Sequence, residues 1–96
     1  MENAVFVELL RRKKEVFYYN GKNECDFLIV ENLEVKEAIQ VTYEVNEFNI
    51  DREIKGLKEA AQEYQIKEMT LIVYEELKFN VDKEINVVTL YDWLLT

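Results

Sequence analysis

The dipeptide Asn20-Gly21 restricts the fold strongly, because it separates two short runs rich in aromatic and β-branched residues. These runs cover 15–19 and 24–31. An Asn-Gly pair between such runs is the strongest short-range signal for a β-hairpin. A second turn at 31–34 precedes a third β-branched run at 36–44. The sequence therefore predicts a three-stranded antiparallel meander.

Helices are predicted on both sides of this meander along the chain. Apolar residues recur at helical spacing over 2–13 and again over 49–65. The nearly continuous apolar run 69–74 predicts a strand near 69–75 that is covered on both faces, and 85–90 predicts a last strand before a short amphipathic helix at 91–95. A strand, a crossover helix and a strand form a parallel pair.

We therefore predict one α/β domain over residues 1–96, with the order α-β-β-β-α-β-β-(short α). It has three layers, a mixed five-stranded sheet flanked by helices. Gly56 disfavours the second helix by up to about 1 kcal/mol relative to Ala, and so predicts a close approach to the sheet. The residues expected in the core are Phe6, Leu9, Phe27, Ile29, Ile39, Val41, Leu57, Ala61, Leu71 and Val73.

Composition excludes several classes of function. The chain has no histidine, which removes the commonest general base and metal ligand. Its single cysteine, Cys25, cannot form an internal disulfide and is expected in the core. A net charge of −8 repels a phosphate backbone and argues against free-standing nucleic-acid binding. No signal peptide or membrane-spanning run is visible, so we expect a cytoplasmic protein without a membrane partner.

Polar residues interrupt two of the predicted strands at neighbouring positions. Strand alternation places Asp26 on the face of Leu28 and Val30, and places Gln40 and Thr42 together on one face of the next strand. A buried, unpaired Asp would cost free energy. If the two faces coincide, these three polar side chains converge, and Glu2 at the start of the first helix completes a cluster that could surround a divalent cation.

Five segments, in this order, carry a resemblance to a known family. They are 2–9 (ENAVFVEL), 24–29 (ECDFLI), 39–44 (IQVTYE), 52–54 (REI) and 93–95 (WLL). With the order of elements, they resemble the PD-(D/E)XK nuclease superfamily, which has the restriction-endonuclease-like fold also used by archaeal Holliday-junction resolvases. Within it they look most like the uncharacterised C-terminal domain of archaeal and other prokaryotic P-loop ATPases of the AAA type. The resemblance implies an ATPase domain upstream of this one.

The resemblance also implies the positions of a catalytic motif. In the superfamily, a helix Glu, a strand Asp and an acid-x-Lys on the next strand bind magnesium and position water; by position these are Glu2, Asp26, Gln40 and Thr42. Gln40 stands where an acid is usual, and Thr42 stands where the lysine belongs. Loss of such a positioned charge costs about 10²–10³ in rate. A lysine reaching in from elsewhere, Lys36, Lys55 or Lys58, is the alternative.

We therefore expect a non-catalytic accessory domain that acts through contacts with its ATPase, a partner protein or a second copy, and that needs no cofactor. The alternative is a Mg²⁺-dependent DNA endonuclease with a rearranged site, similar to a Holliday-junction resolvase. For the first, we expect no metal at Asp26, which should accept hydrogen bonds from Gln40, Thr42 or water. The segment 93–95 should fold onto the sheet; an exposed patch for a homodimer is the alternative.

Overall fold

The computed structural model describes residues 1–96. Its elements are α1 (Glu2–Arg11), β1 (Glu15–Asn20), β2 (Glu24–Glu31), β3 (Glu34–Thr42), α2 (Ile50–Tyr64), β4 (Glu68–Val73), β5 (Ile85–Thr89) and α3 (Leu90–Leu94). The predicted type and order of every element are confirmed, and each boundary lies within two residues of its predicted position. None of the three helices combines the length and apolar character that crossing a membrane requires.

The five strands form one mixed sheet in the order β1-β2-β3-β4-β5. The first two pairs are antiparallel, which confirms the meander. The pair β3–β4 is parallel with α2 as its crossover, as predicted, and β4–β5 is parallel too. The strands β1 and β5 are the two edges of the sheet.

The two hairpin connections differ from each other in backbone conformation. The first connection is the loop 21–23, and Gly21 has no positive φ. The second is the two-residue turn Asn32-Leu33, where φ is 53° and 66°, the left-handed conformation that matches the twist of a tight hairpin. The carboxylate of Glu59 in α2 holds the first loop in place, because it accepts hydrogen bonds of 2.8 and 2.6 Å from two backbone amides of 21–23. Packing against α2 therefore supports the Asn-Gly hairpin.

Two apolar clusters lie on opposite faces of the sheet and make the three layers. One packs α2 against the sheet and includes Cys25, Leu28, Ala38, Leu57, Ala60, Ala61, Leu71 and Val73. The other packs α1 and α3 against the opposite face and consists of Val5, Leu9, Phe27, Ile29, Ile39, Val41, Ile72 and Trp93. The strand β4 contributes to both clusters, which confirms that it is covered on both faces.

Nine of the ten predicted core residues are buried, and the prediction for Phe6 is wrong. The Phe6 side chain is 39% exposed, although its ring stacks on Phe27 with centroids 6.0 Å apart. Val5 and Leu9, one helical turn apart, hold the centre of the buried face of α1. Phe6 follows Val5 by about 100° around the helix and so reaches only the margin of the sheet.

The expectation that the segment 93–95 folds onto the sheet is met by Trp93 but not by Leu94, which is 40% exposed. Trp93 is buried, and the Arg12 guanidinium lies 4.5 Å from its ring centroid. Arg12 also donates a hydrogen bond of 3.0 Å to the carbonyl oxygen of Trp93. The contact therefore ties the end of α1 to α3, while Leu95 remains 70% exposed.

Candidate functional site

The polar cluster lies where the backbone ladder between β2 and β3 ends. The last paired residues in this direction are Phe27 and Ile39. Beyond them, the Val41 N–H donates to Asp26 Oδ2 at 2.8 Å, and the Asp26 N–H donates to Gln40 Oε1 at 2.8 Å. Two side chains thus take the hydrogen-bonding places that backbone groups hold in the regular ladder.

Gln40 joins three elements at this point. Its side-chain amide nitrogen donates to the carbonyl oxygens of Glu24 and Glu53, both at 3.0 Å. The residue is only 2% exposed, so both amide hydrogens and the amide oxygen are used inside the protein. Gly56 makes the arrangement possible, because a Cβ there would overlap the Glu24 carbonyl oxygen and lie 2.8 Å from Gln40 Nε2. The predicted close approach at Gly56 is confirmed.

Strand alternation gave the wrong face for Asp26. The pairing of β1 with β2 shifts by one residue beside Asp26, which is a β-bulge. As a result, Cys25 and Leu28 both belong to the cluster under α2, although they are three residues apart. Asp26 instead lies in a cleft together with Glu2 of α1. The bulge therefore separates Asp26 from the face of Leu28 and Val30, where simple alternation placed it.

Two hollows meet at Glu2 and Asp26. The first, here called the acidic cleft, has a volume of 480 Å³ and is lined by Glu2, Lys22, Asn23, Glu24, Asp26, Gln40, Val41, Arg52 and Glu53. The second, of 390 Å³, is lined mainly by aromatic and apolar side chains of α1, β1 and β2. A ligand at Asp26 could therefore extend from a charged region into an apolar one.

Burial sets the electrostatics of the acidic cleft. It raises the pKa of Asp26 to about 7, with further increases from the carboxylates of Glu2 and Glu53, and the hydrogen bond from the Val41 N–H opposes these effects. Burial also raises the pKa of Glu53, although Arg52, 3.7 Å away, lowers it. Asp26 is therefore near the midpoint of its titration at neutral pH and can hold or release a proton there.

The structure brings together three of the four predicted site residues. Glu2, Asp26 and Gln40 line the acidic cleft, whereas Thr42 does not. Thr42 is buried, and its hydroxyl donates to the carbonyl oxygen of Glu44 at 3.3 Å. Neither Gln40 nor Thr42, the two side chains predicted to donate to Asp26, does so. Val41 donates through its backbone, and Gln40 is an acceptor toward Asp26.

None of the three lysines considered as replacements for the missing one lines the cleft. Lys36 pairs with Glu34 at 2.8 Å, and Lys58 pairs with Asp82 on the other side of α2. The cations that do line it are Lys22, from the first hairpin loop, and Arg52, from the first turn of α2. None of the three lysines that the sequence suggested therefore supplies a charge to the acidic cleft.

Sequence reasoning missed all four of the other charged residues of the cleft: Lys22, Glu24, Arg52 and Glu53. The only sequence signal that could have pointed to them is that Glu24, Arg52 and Glu53 belong to the segments that carry the family resemblance. Four carboxylates thus face one cleft, yet no group of three or more acidic, cysteine or histidine side chains is arranged to hold a metal ion. What the arrangement offers is a titrating carboxyl beside two cations.

Comparisons with known proteins add one relative. A protein of Methanocaldococcus jannaschii named "Uncharacterized protein MJ1544" is 48% identical in an alignment of 68 residues that covers 66% of this chain and 15% of that protein. This chain therefore corresponds to a small part of the relative's length. No family model matches the chain. No solved structure matches it significantly.

Proposed function

We propose that this chain is a restriction-endonuclease-like domain of the PD-(D/E)XK type that has lost catalysis and acts through protein contacts. The observation that carries the proposal is the use of Gln40 as a structural link. Both amide hydrogens of Gln40 and its oxygen bind backbone groups of β2 and α2. A neutral side chain held in this way offers no charge to a cation. It cannot turn toward a substrate without losing the hydrogen bonds that join β2, β3 and α2.

The position of Thr42 supports the same proposal. A catalytic lysine would have to direct its charge into the cleft beside Asp26, where an attacking water would lie. Thr42 is short and neutral, and its hydroxyl is bonded to the Glu44 carbonyl oxygen outside that cleft. Two of the four motif positions are therefore used for holding β3 in place.

The length of the relative supports a role within a larger protein. The matched region is 15% of the M. jannaschii protein, so related sequence occurs there as one part of a much longer chain. We propose that the domain contacts an AAA-type ATPase region, as the family resemblance implies. A separate partner protein and a second copy of this chain remain the other proposed contacts.

A second candidate function is a metal-dependent DNA endonuclease with a rearranged site, similar to a Holliday-junction resolvase. It is favoured by the acidic cleft itself, where Glu2, Asp26 and Glu53 lie near Lys22. Burial and neighbouring carboxylates raise the pKa of Asp26 to about 7. A divalent cation in the cleft would offset the repulsion among these carboxylates and favour the ionised form of Asp26. Only this alternative requires Mg²⁺.

Incubation with branched, nicked and single-stranded DNA in the presence of Mg²⁺ or Mn²⁺ separates the two functions. We expect no cleavage by the wild-type chain. Asp26→Ala is the test variant, and Asp51→Ala, an exposed acid of α2 outside the cleft, is the matched control. Cleavage that Asp26→Ala abolishes and Asp51→Ala retains would overturn the accessory role.

A sedimentation series over a wide range of concentration tests the contact with a second copy. A mass that doubles as concentration rises identifies the chain itself as the partner. A constant monomer mass leaves the contact to another protein.

A further inference from the structure

Two tyrosines stack at the point where β3 and β4 end. Thr42 and Val73 are paired in parallel register, so the next residues, Tyr43 and Tyr74, leave the sheet side by side. Neighbouring strands are about 4.8 Å apart. The two rings lie 4.8 Å apart, centroid to centroid, with an angle of 27° between their planes. The stack is therefore built by the sheet and has a defined position.

This stack is not part of either apolar cluster. Tyr43 and Tyr74 are 60% and 51% exposed, so the rings remain open to solvent after they have stacked on each other. They line a cleft of 720 Å³, here called the tyrosine cleft, whose apolar lining comes from Val45, Leu77 and Phe79.

The charge around the tyrosine cleft is mostly negative. Glu44, Glu47, Glu75 and Glu76 line it, and Lys78 is the one cation among its lining residues. None of these five side chains forms an ion pair within the chain. Four carboxylates therefore face solvent beside two aromatic faces without an internal partner.

The loop that carries Glu44 and Glu47 is already ordered by its own hydrogen bonds. Asn46 Oδ1 accepts from the backbone amides of Phe48 and Asn49 at 2.8 and 2.9 Å. Asn49 Nδ2 donates to the Glu44 carbonyl oxygen at 2.6 Å. Because this wall of the cleft, the 44–49 loop, is already fixed, a ligand would lose little affinity to ordering it.

We propose that the tyrosine cleft binds an arginine- and lysine-rich segment of a partner protein. One cationic side chain lies against the tyrosine faces, which attract cations through the quadrupole of the ring. Neighbouring cations of the segment pair with the carboxylates of the rim. A nucleic acid could stack a base on the same rings, but four carboxylates would repel its phosphates.

The tyrosine cleft shares no lining residue with the acidic cleft. Binding of a basic segment therefore does not depend on whether the domain cleaves DNA. Failure of the proposed non-catalytic role and failure of the proposed binding of a basic segment can be told apart, because each is tested with its own variants.

Fluorescence anisotropy of fluorescein-labelled hexa-arginine tests the proposal, in about 150 mM NaCl so that weak long-range attraction is screened. We expect saturable binding, with backbone amide shifts in NMR spectra confined to 43–49 and 74–79. Replacing both tyrosines by Leu should weaken binding by about tenfold or more, as the loss of two cation–π contacts implies. Tyr43→Phe keeps the ring and should change affinity by less than about twofold. Tyr91→Leu, an exposed tyrosine of α3, is the matched control.

The charge is tested with Glu75→Gln combined with Glu76→Gln, against a control in which two exposed acids elsewhere, Glu15 and Glu63, are changed to Gln. Only the first pair should weaken binding of hexa-arginine. Dispersed NMR spectra of each variant establish that it is folded. Absence of saturable binding, equal weakening by the control variants, shifts spread over the whole acidic surface, or tighter binding of labelled oligothymidylate would each overturn the proposal.

Discussion

Replacing Gln40 by Leu tests the structural role on which the proposed function rests. Leu has nearly the same size as Gln but cannot form hydrogen bonds. The change removes three hydrogen bonds, of 2.8, 3.0 and 3.0 Å, and leaves the Asp26 N–H and the carbonyl oxygens of Glu24 and Glu53 without these partners. We expect Gln40→Leu to destabilise the domain clearly.

The magnitude follows from the number of bonds and the burial of the side chain. At about 1 kcal/mol for each bond, the loss is about 3 kcal/mol. Burying the apolar atoms of Leu at a site that is 2% exposed returns about 1 kcal/mol. The net decrease in the free energy of unfolding is therefore about 2 kcal/mol, which lowers the urea midpoint by about 1 M for a domain of this size.

Urea unfolding followed by circular dichroism measures this change. Gln62→Leu is the matched control, because Gln62 lies on the exposed side of the same helix that Gln40 contacts, and its loss should change stability by less than about 0.5 kcal/mol. Equal midpoints for the two variants would refute the structural role of Gln40. A Gln40→Glu variant that is as stable as wild type at pH 8 and binds Mn²⁺ would instead show that the site is still suited to a cation.

Three further predictions concern neighbouring residues. Because the pKa of Asp26 is raised from 3.8 to about 7, the stability of the wild-type domain should fall as pH rises from about 4 to 7. Asp26→Asn should remove this pH dependence. In urea titrations the variant should be more stable than wild type at pH 8 but not at pH 3.5. Gly56→Ala should lower the melting temperature, although Ala favours helix, because its methyl group overlaps the Glu24 carbonyl oxygen. Cys25 is buried, and burial raises its pKa to about 12, so a thiol reagent at pH 8 should react with it only after unfolding in urea.

Most of the fold was predictable from local patterns. The helix of 15 residues at Ile50–Tyr64 is long enough for periodicity to identify it, and the strand at Glu68–Val73 is identified by its nearly continuous apolar run. The parallel pairing of β3 with β4 follows from the order strand, helix, strand. The exception in the core was Phe6, whose place at the margin of the apolar face depends on where the sheet ends.

The candidate site was predictable only in part. Sequence order and the resemblance selected Glu2, Asp26 and Gln40, which the fold does bring to one cleft. The sequence did not reveal that a β-bulge turns Asp26 away from the face of Leu28, because a bulge depends on the pairing of two strands. It also did not reveal that Lys22, in the loop just before Glu24, and Arg52, in the first turn of α2, line the same cleft.

The residues by themselves determined the elements, their order and the chemical groups that were present or missing at each motif position. Tertiary structure decided what those groups bind. Gln40 became a link among β2, β3 and α2 because Gly56 lets the helix approach, and Tyr43 and Tyr74 became a stack because two parallel strands end in register. The physical reason is the sequence separation of the interacting residues. Helical and strand periodicity relates residues a few positions apart, whereas these contacts join residues that only the completed sheet brings together.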